Sequence, residues 1–372
     1  MSVPAQLPGR IYNARNIVLG HVRYMSFQVA VQPSGHVFAV AAGQTVLDGA
    51  LAAGLVIPYG CRTGGCSSCK GRVLAGEYDA GPAPAQTLTV DELGAGYTLF
   101  CQAKPLSDMQ IEVSEVRLAT DIQIRKLPVR VIQREPLAAD VMRLTLQLPA
   151  GDPFRFHAGQ YVDVILRDGS RRSYSMARAP HVDGPLELHI RHMPGGLFTD
   201  HVFGAGATQM KDREILRLEG PFGSFHLREE SQRPVVLLAS GTGFAPVKAM
   251  VEHMIHVGIS RPVVLYWGGR RPSDLYQDAL AREWEQVLPG FRYVPVVSNA
   301  QPEDGWQGRT GFVHQAIMQD MPDLSGSEVY ACGAPAMVDA ARRDFVAQCG
   351  LPSDAFYADA FTSLADTAVQ AG

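Results

Sequence analysis

The chain has 372 residues, 46% of them hydrophobic, with 33 Lys/Arg against 37 Asp/Glu and a formal net charge of −4. That length exceeds one ordinary core and implies two or three domains, and the composition excludes a disordered chain. With no basic surplus and no stretch of 18 predominantly apolar residues, neither nucleic acid nor a membrane is expected as a partner.

Residues 1–24 carry Arg10, Arg15 and Arg23 and no acid. Their apolar run, 17–19, is too short for a secretory h-region. A transit peptide would suit the charge, but a clean strand pattern begins only after Met25, so 1–24 reads as an N-terminal extension. Residues 25–118 are mildly acidic, with five Lys/Arg against eight Asp/Glu. They open on alternating Phe27, Val29 and Val31, a half-buried strand. Thr45 then precedes a short helix whose Leu47, Ala50, Leu51 and Gly54 share a face, and Thr45 with Asp48 has the look of a capping box. Further strands are expected at 70–74 and 109–113.

Between them runs "YGCRTGGCSSCKG", in which Cys61, Cys66 and Cys69 stand as C-x4-C-x2-C, with Cys101 32 residues beyond Cys69. This is the plant-type [2Fe–2S] spacing. Four thiolates are needed around two irons, and Gly60, Gly64 and Gly65 let backbone amides approach the sulfides. A zinc site would add a second C-x2-C or histidines. A C-x-x-C redox pair would use Cys66 and Cys69 and leave Cys61 and Cys101 idle. The clustering also argues against a disulfide scaffold and for a reducing, cytoplasmic setting. The surrounding "VLDGALAAGLVIPYGCRTGGCSSCKGRV" resembles the plant-type ferredoxins over 25–118, which implies a β-grasp fold and one-electron transfer.

Residues 114–128 read as a linker. From Val129 to about Leu227, alternation at Met142–Leu144–Leu146–Leu148, at Val162–Val164–Leu166 and at Leu186–Leu188–Ile190 predicts a closed antiparallel barrel. From Pro234 the pattern changes to unbroken apolar strands, "PVVLLAS" and "PVVLYWGG", alternating with helices. One of those helices carries a stripe of Val247, Met250, Val251, Met254 and Ile255. This is βαβ repetition and predicts an α/β Rossmann-like sheet.

Four short motifs lie on this frame. "RRSYSMA" holds Arg172, Tyr174 and Ser175; alone it matches any exposed strand. "RHMPGGLFTDHV" places Gly195 and Gly196 before Thr199 at a helix start, where exposed amides suit a pyrophosphate. "SGTGFAPVKAM" is not the GxGxxG fingerprint, because Pro246 takes its last position, yet Gly241 and Gly243 open the turn and Pro246 fits a first helical turn. "YACGAPAMVDAA" repeats a strand-to-helix turn at Cys332 and Gly333.

Taken in order, these motifs resemble the ferredoxin–NADP+ reductase superfamily over 125–362. The resemblance implies an FAD-binding barrel (125–229) and an NAD(P)-binding domain (232–362). It implies that Arg172 binds the FAD pyrophosphate, Tyr174 packs on the isoalloxazine, and Ser175 hydrogen-bonds near flavin N5. Gly195, Gly196 and Thr199 would complete the pyrophosphate site. Gly241, Thr242 and Gly243 would cradle the nicotinamide cofactor, with Cys332 and Gly333 beside its ring. Ser175 and Cys332 are the candidate catalytic residues, and Phe361 in "FYADAF" is the candidate aromatic over the flavin. "YWGGRRPSDLY" resembles NADH-using members, with Asp274 toward the ribose; Arg270 and Arg271 read as solvated loop arginines, though their charge would also suit the 2′-phosphate of NADPH.

A ferredoxin ahead of such a module resembles the reductase components of multicomponent oxygenases and, through "VQPSGHVF" and "PYGC", the CDP-6-deoxy-Δ3,4-glucoseen reductase family. The function implied is transfer of electrons from NADH through FAD and [2Fe–2S] to an acceptor protein, a dehydrase or an oxygenase component. A redox-sensing module with a vestigial nicotinamide site is the rival from another class; intact Ser175, Gly243 and Cys332 weigh against it.

Overall fold

The computed structural model describes residues 15–19, 22–82, 87–118, 122–151, 154–206 and 208–361. Among these, contacts gather into two compact units. One runs to Pro58 and resumes from Arg62 to Leu118; the other holds Tyr59–Cys61 and everything from Ile122 on.

The first unit is built on the strand Val22–Gln32, which pairs antiparallel with Val37–Ala41 and parallel with Met109–Glu112. Lys70–Ala75 and Tyr97–Leu99 complete the sheet beyond Met109–Glu112. The expected alternation is present, with Phe27, Val29 and Val31 buried. A helix at Val46–Ala52 packs on this sheet through Val46, Leu47, Gly49 and Ala50, and Thr45 Oγ1 caps it by accepting from Asp48 N at 3.1 Å. The face therefore differs from the expected one: the helix stops before Gly54, and Leu51 is only half-buried.

The sequence reading expected no strand before Met25. The backbone there forms one, Arg15–Leu19, antiparallel to the start of Val22–Gln32. The apolar run is too short for a leader, yet β-branched Ile17 and Val18 suit an added edge strand. Residues 1–14, 20 and 21 of the expected extension lie outside the described residues.

In the second unit, six antiparallel strands follow the order Arg171–Ser175, Tyr161–Ile165, Ile215–Phe222, Arg125–Ala138, Val141–Gln147, Leu186–Arg191. A bridge between Met176 and Leu188 brings the two ends together, so the sheet curls into the expected barrel. Its interior is filled by alternating side chains, among them Val129, Leu144, Val162, Leu188 and Leu218. The remaining sheet is wholly parallel, in the order Arg309–Thr310, Phe291–Val297, Val263–Gly269, Val235–Ser240, Glu328–Gly333, Phe356–Ala360. Both faces are covered, which is why Val235, Val236, Leu237, Leu238 and Ala239 are all buried. The chain leaves Val235–Ser240 toward one edge and returns to its other side as Glu328–Gly333. The crevice at their carboxyl ends is thus a topological switch point. No helix among the described residues is long and apolar enough to cross a membrane.

Candidate functional site

The cysteine loop lies between the strands Leu55–Val56 and Lys70–Ala75. Its backbone turns through left-handed φ at Arg62 (61°), Gly64 (90°) and Ser67 (57°). Two non-glycine residues in that region show that the loop's shape is imposed by its surroundings. Cys66, Cys69 and Cys101 are buried and Cys61 is partly exposed; none forms a disulfide. Strand pairing explains how distant Cys101 reaches the loop. Lys70 pairs with Leu99, and Phe100 N donates to Cys69 O at 3.0 Å. A hydrogen bond between the Cys69 and Cys101 side chains, together with burial, pushes the Cys69 thiol well up. Buried thiolates side by side repel one another and call for positive charge between them, which the irons of a cluster supply. The residues therefore fit a [2Fe–2S] group.

The barrel positions the next set. Arg172, Tyr174 and Ser175 share the strand Arg171–Ser175. Arg172 donates to Arg171 O at 2.7 Å and makes no ion pair among the described residues. Tyr174 packs its ring 5.5 Å from Phe198. Ser175 Oγ is buried and faces the Asp359 carboxyl, yet closes no hydrogen bond of normal geometry. A buried hydroxyl in that state is ready for another partner. At the second motif, Gly196 caps the helix Leu197–Phe203. Gly195 N donates to Asp200 Oδ2 and Gly196 N to Met193 O, while Thr199 Oγ1 donates to Met193 O at 2.8 Å. These groups shape the turn; the first amides of the helix, from Leu197 on, are the ones with no intrahelical acceptor. Together the strand and the turn offer a cation, an aromatic face, a hydroxyl and open amides, a donor set that fits FAD.

The crevice at the switch point is the most tightly drawn part. Gly241–Gly243 forms a short 3-10 turn after Val235–Ser240, and Phe244–Val257 is the helix that follows. A Cβ on Gly243 would lie 2.1 Å from Cys332 O, and one on Gly333 would lie 2.2 Å from Ser240 Oγ. Only glycines let the two turns close on each other. Trp267 Nε1 donates to Gly241 O at 3.1 Å, supporting the turn from the neighbouring strand. Thr242 is buried within it. Cys332 is fully buried and burial pushes its thiol up, so it stays protonated. It pairs with Ala239 on one side and Asp359 on the other. Phe361 N donates to Gly333 O at 2.8 Å, and its ring packs partly buried against the core of the parallel sheet. The glycine turn leading into the helix Phe244–Val257 presents the backbone amides of a helix start at a strand end, a setting that fits a dinucleotide pyrophosphate.

Two residues escaped the sequence reading. Asp359 has its carboxyl pushed up to about 7 by burial and by the neighbouring Cys61 sulfur, with the facing Ser175 hydroxyl pulling the other way. Only the strand register Cys332↔Asp359 reveals it. Arg191 ends the strand Leu186–Arg191, is ion-paired with Asp140, and its guanidinium lies 3.4 Å from where a Gly241 Cβ would sit. Beyond the crevice, Arg270 is a solvated arginine as expected, its side chain 72% exposed, whereas Arg271 is not. Arg270 pairs with Asp274 and Arg271 with Glu303 and Asp304, because carboxylates from two turns converge on them. Asp274 Oδ2 accepts from Arg270 N at 2.8 Å and Arg271 N at 3.3 Å, which braces the turn.

Three family models match the chain. The 2Fe-2S iron-sulfur cluster binding domain covers residues 29–106, the oxidoreductase FAD-binding domain 128–227 and the oxidoreductase NAD-binding domain 237–343. The chain is 42% identical over 337 residues to the CDP-6-deoxy-L-threo-D-glycero-4-hexulose-3-dehydrase reductase of Yersinia pestis, covering 91% of this chain and 99% of that protein. It is 36% identical over 343 residues to the reductase component 2 of terephthalate 1,2-dioxygenase from Comamonas sp, covering 91% and 98%. Among solved structures, the Amycolatopsis cytochrome P450 reductase superimposes with a TM-score of 0.73 at 35% identity, covering 91% of this chain and 99% of that one.

Proposed function

Because the chain belongs to the ferredoxin–NADP+ reductase superfamily, in the group carrying a plant-type [2Fe–2S] domain, we propose that its electrons go to a dehydrase acting on a CDP-linked deoxysugar. The chain is an NAD(P)H-dependent electron-transfer oxidoreductase with FAD and [2Fe–2S] as cofactors. When bound, the nicotinamide gives a hydride, FAD takes the pair and releases single electrons, and the cluster, at about −400 mV in plant-type cases, carries each one.

The chain's own residues bind and orient. Arg172 and the first amides of Leu197–Phe203 hold the FAD pyrophosphate, Tyr174 and Phe361 flank the ring system, and Ser175 donates its unpartnered hydroxyl toward flavin N5. Gly241, Thr242, Gly243 and Gly333 admit the second dinucleotide, and Cys332, a buried neutral thiol, excludes water beside the nicotinamide. Cys61, Cys66, Cys69 and Cys101 ligate the cluster. Thiols kept reduced in this way accord with a cytoplasmic setting.

Asp359 adds a titratable charge. With its carboxyl near 7, it is neutral below that pH and anionic above it. An anion there would oppose the negative charge that hydride uptake puts on the flavin, so flavin reduction by NADH should slow as pH rises through about 7, and Asp359→Asn should flatten that limb while keeping the low-pH rate within a few-fold. An identical limb in the variant, measured by anaerobic stopped-flow, would contradict the assignment.

The observation that carries the acceptor is the 42% identity to the Yersinia pestis dehydrase reductase over nearly its full length, against 36% for the terephthalate dioxygenase component. The test is reconstitution. Purified chain, NADH and a CDP-hexulose dehydrase should give stoichiometric deoxygenated sugar. Turnover with an aromatic-ring oxygenase component, and none with the dehydrase, would reverse the choice.

A further inference from the structure

Two arginines follow the strand Val263–Gly269, next in the sheet to the Gly241–Gly243 turn. The end of the second strand of such a sheet is where a dinucleotide's adenosine ribose is read, by an acid for a 2′-hydroxyl or an arginine for a 2′-phosphate. Arg270 and Arg271 would suit the phosphate, but they are not equally open: the Arg270 side chain is 72% exposed, whereas the Arg271 fork is engaged. Arg270 Nε lies 3.3 Å from Asp274 Oδ2. Arg271 is gripped more firmly: its Nε donates to Asp304 Oδ2 at 2.7 Å and its Nη2 to Asp304 Oδ1 at 2.6 Å, with Glu303 Oε1 at 3.3 Å from the same Nη2. This is the two-toothed guanidinium–carboxylate fit, the strongest such pairing and the same one a phosphate would use.

The grip is built into the fold. Glu303 and Asp304 sit on the 3-10 turn Pro302–Asp304, where Asp304 Oδ2 also accepts from Gln301 N at 2.8 Å. The segment leading there is stitched to the arginine loop by Ser298 N to Gly269 O at 2.9 Å and Asn299 N to Arg270 O at 2.8 Å. The Arg271 guanidinium holds the Asp304 carboxyl below the usual range, so it is anionic at neutral pH. Three carboxylates thus face two guanidiniums.

We propose that the Glu303–Asp304 turn masks Arg271 and so makes this chain select NADH over NADPH, leaving a latent 2′-phosphate site beneath the mask. A 2′-phosphate would arrive at a net negative spot where the Arg271 fork is already engaged and only the exposed Arg270 is left to meet it. A ribose with free hydroxyls has no such conflict and can donate to the carboxylates. The proposal rests on the nicotinamide crevice assigned above.

The test uses the full chain with FAD and cluster bound, reading kcat/KM for NADH and NADPH with ferricyanide as acceptor. In Glu303→Gln/Asp304→Asn, the NADPH-to-NADH ratio should rise at least about tenfold, the scale of one charge-assisted contact exchanged for another. Adding Arg271→Gln should abolish the rise. An unchanged ratio overturns the proposal, as does a rise that persists without Arg271. Should the double variant fail to fold, Glu303→Gln alone, at a side chain 70% exposed, should still raise the ratio about threefold, and no change there is equally fatal. If the parent chain takes electrons from neither nucleotide, the crevice assignment itself fails, an outcome distinct from lost selectivity.

Discussion

Replacing Cys101 by Ala should strip the iron and sulfide from the protein and cut NADH-driven cytochrome c reduction by 100-fold or more, while ferricyanide reduction persists. The reasoning starts from charge. Cys69 and Cys101 are buried thiols close enough to hydrogen-bond, and this contact raises the Cys69 pKa. Removing one ligand leaves three, too few for two irons. The loss is selective because Cys101 lies in the first unit, whereas Ser175 and Gly243 belong to the second. Flavin and its nicotinamide partner should still meet, and a small oxidant can draw electrons from the flavin directly. Cytochrome c, a protein acceptor, depends on the one-electron carrier. The check is iron and labile-sulfide analysis alongside both assays; full cytochrome c activity in an iron-free variant would refute the ordering of the three groups.

Substituting Gly243 by Ala should lower the rate at which NADH reduces the flavin by about 100-fold without emptying the flavin or cluster sites. The new Cβ would stand 2.1 Å from Cys332 O and 2.5 Å from Cys332 C. Both are backbone atoms of the buried strand Glu328–Gly333 and cannot step aside as a flexible side chain would. Something must move by an ångström, and displacement of that order at a reacting pair is enough for about 100-fold. Stability should drop too, by about 1–3 kcal/mol as in other overpacked cores. Stopped-flow reduction at saturating NADH, with flavin content read from the same sample, is the check. A rate within threefold of the parent would mean that the two turns do not frame the nicotinamide site.

How much of this was legible in the sequence depended on the range of each interaction. The cysteine loop was readable because Cys61, Cys66 and Cys69 are local, and Cys101 was recoverable because ligand spacing limits the choices. The structure supplies the reason that spacing works, the register Lys70↔Leu99 that carries Cys101 back to Cys69. The barrel and the parallel sheet were readable because alternation and unbroken apolar runs record how many faces of a strand are covered. The Gly195–Gly196 turn was located, but the consumption of its own amides by Asp200 and Met193 was not, since hydrogen-bond direction leaves no trace in composition. Asp359 and the Arg271–Asp304 pair were missed for a shared reason. Each joins residues at least 27 positions apart whose meeting is decided by strand order, and a lone acid or arginine in sequence looks solvated. The strand Arg15–Leu19 is not legible from its short apolar run because it exists only through pairing with the start of Val22–Gln32.

The central claim is that electrons enter at the nicotinamide crevice as a pair and leave the cluster singly. Anaerobic mixing of the flavin- and iron-loaded protein with NADH, followed at flavin and cluster absorbance bands together, tests it most directly. Flavin bleaching should come first and cluster bleaching second, and a full titration should consume about three electrons for each chain, two for FAD and one for [2Fe–2S]. Cluster bleaching ahead of the flavin, or a chain in which NADH bleaches neither group, would contradict the account.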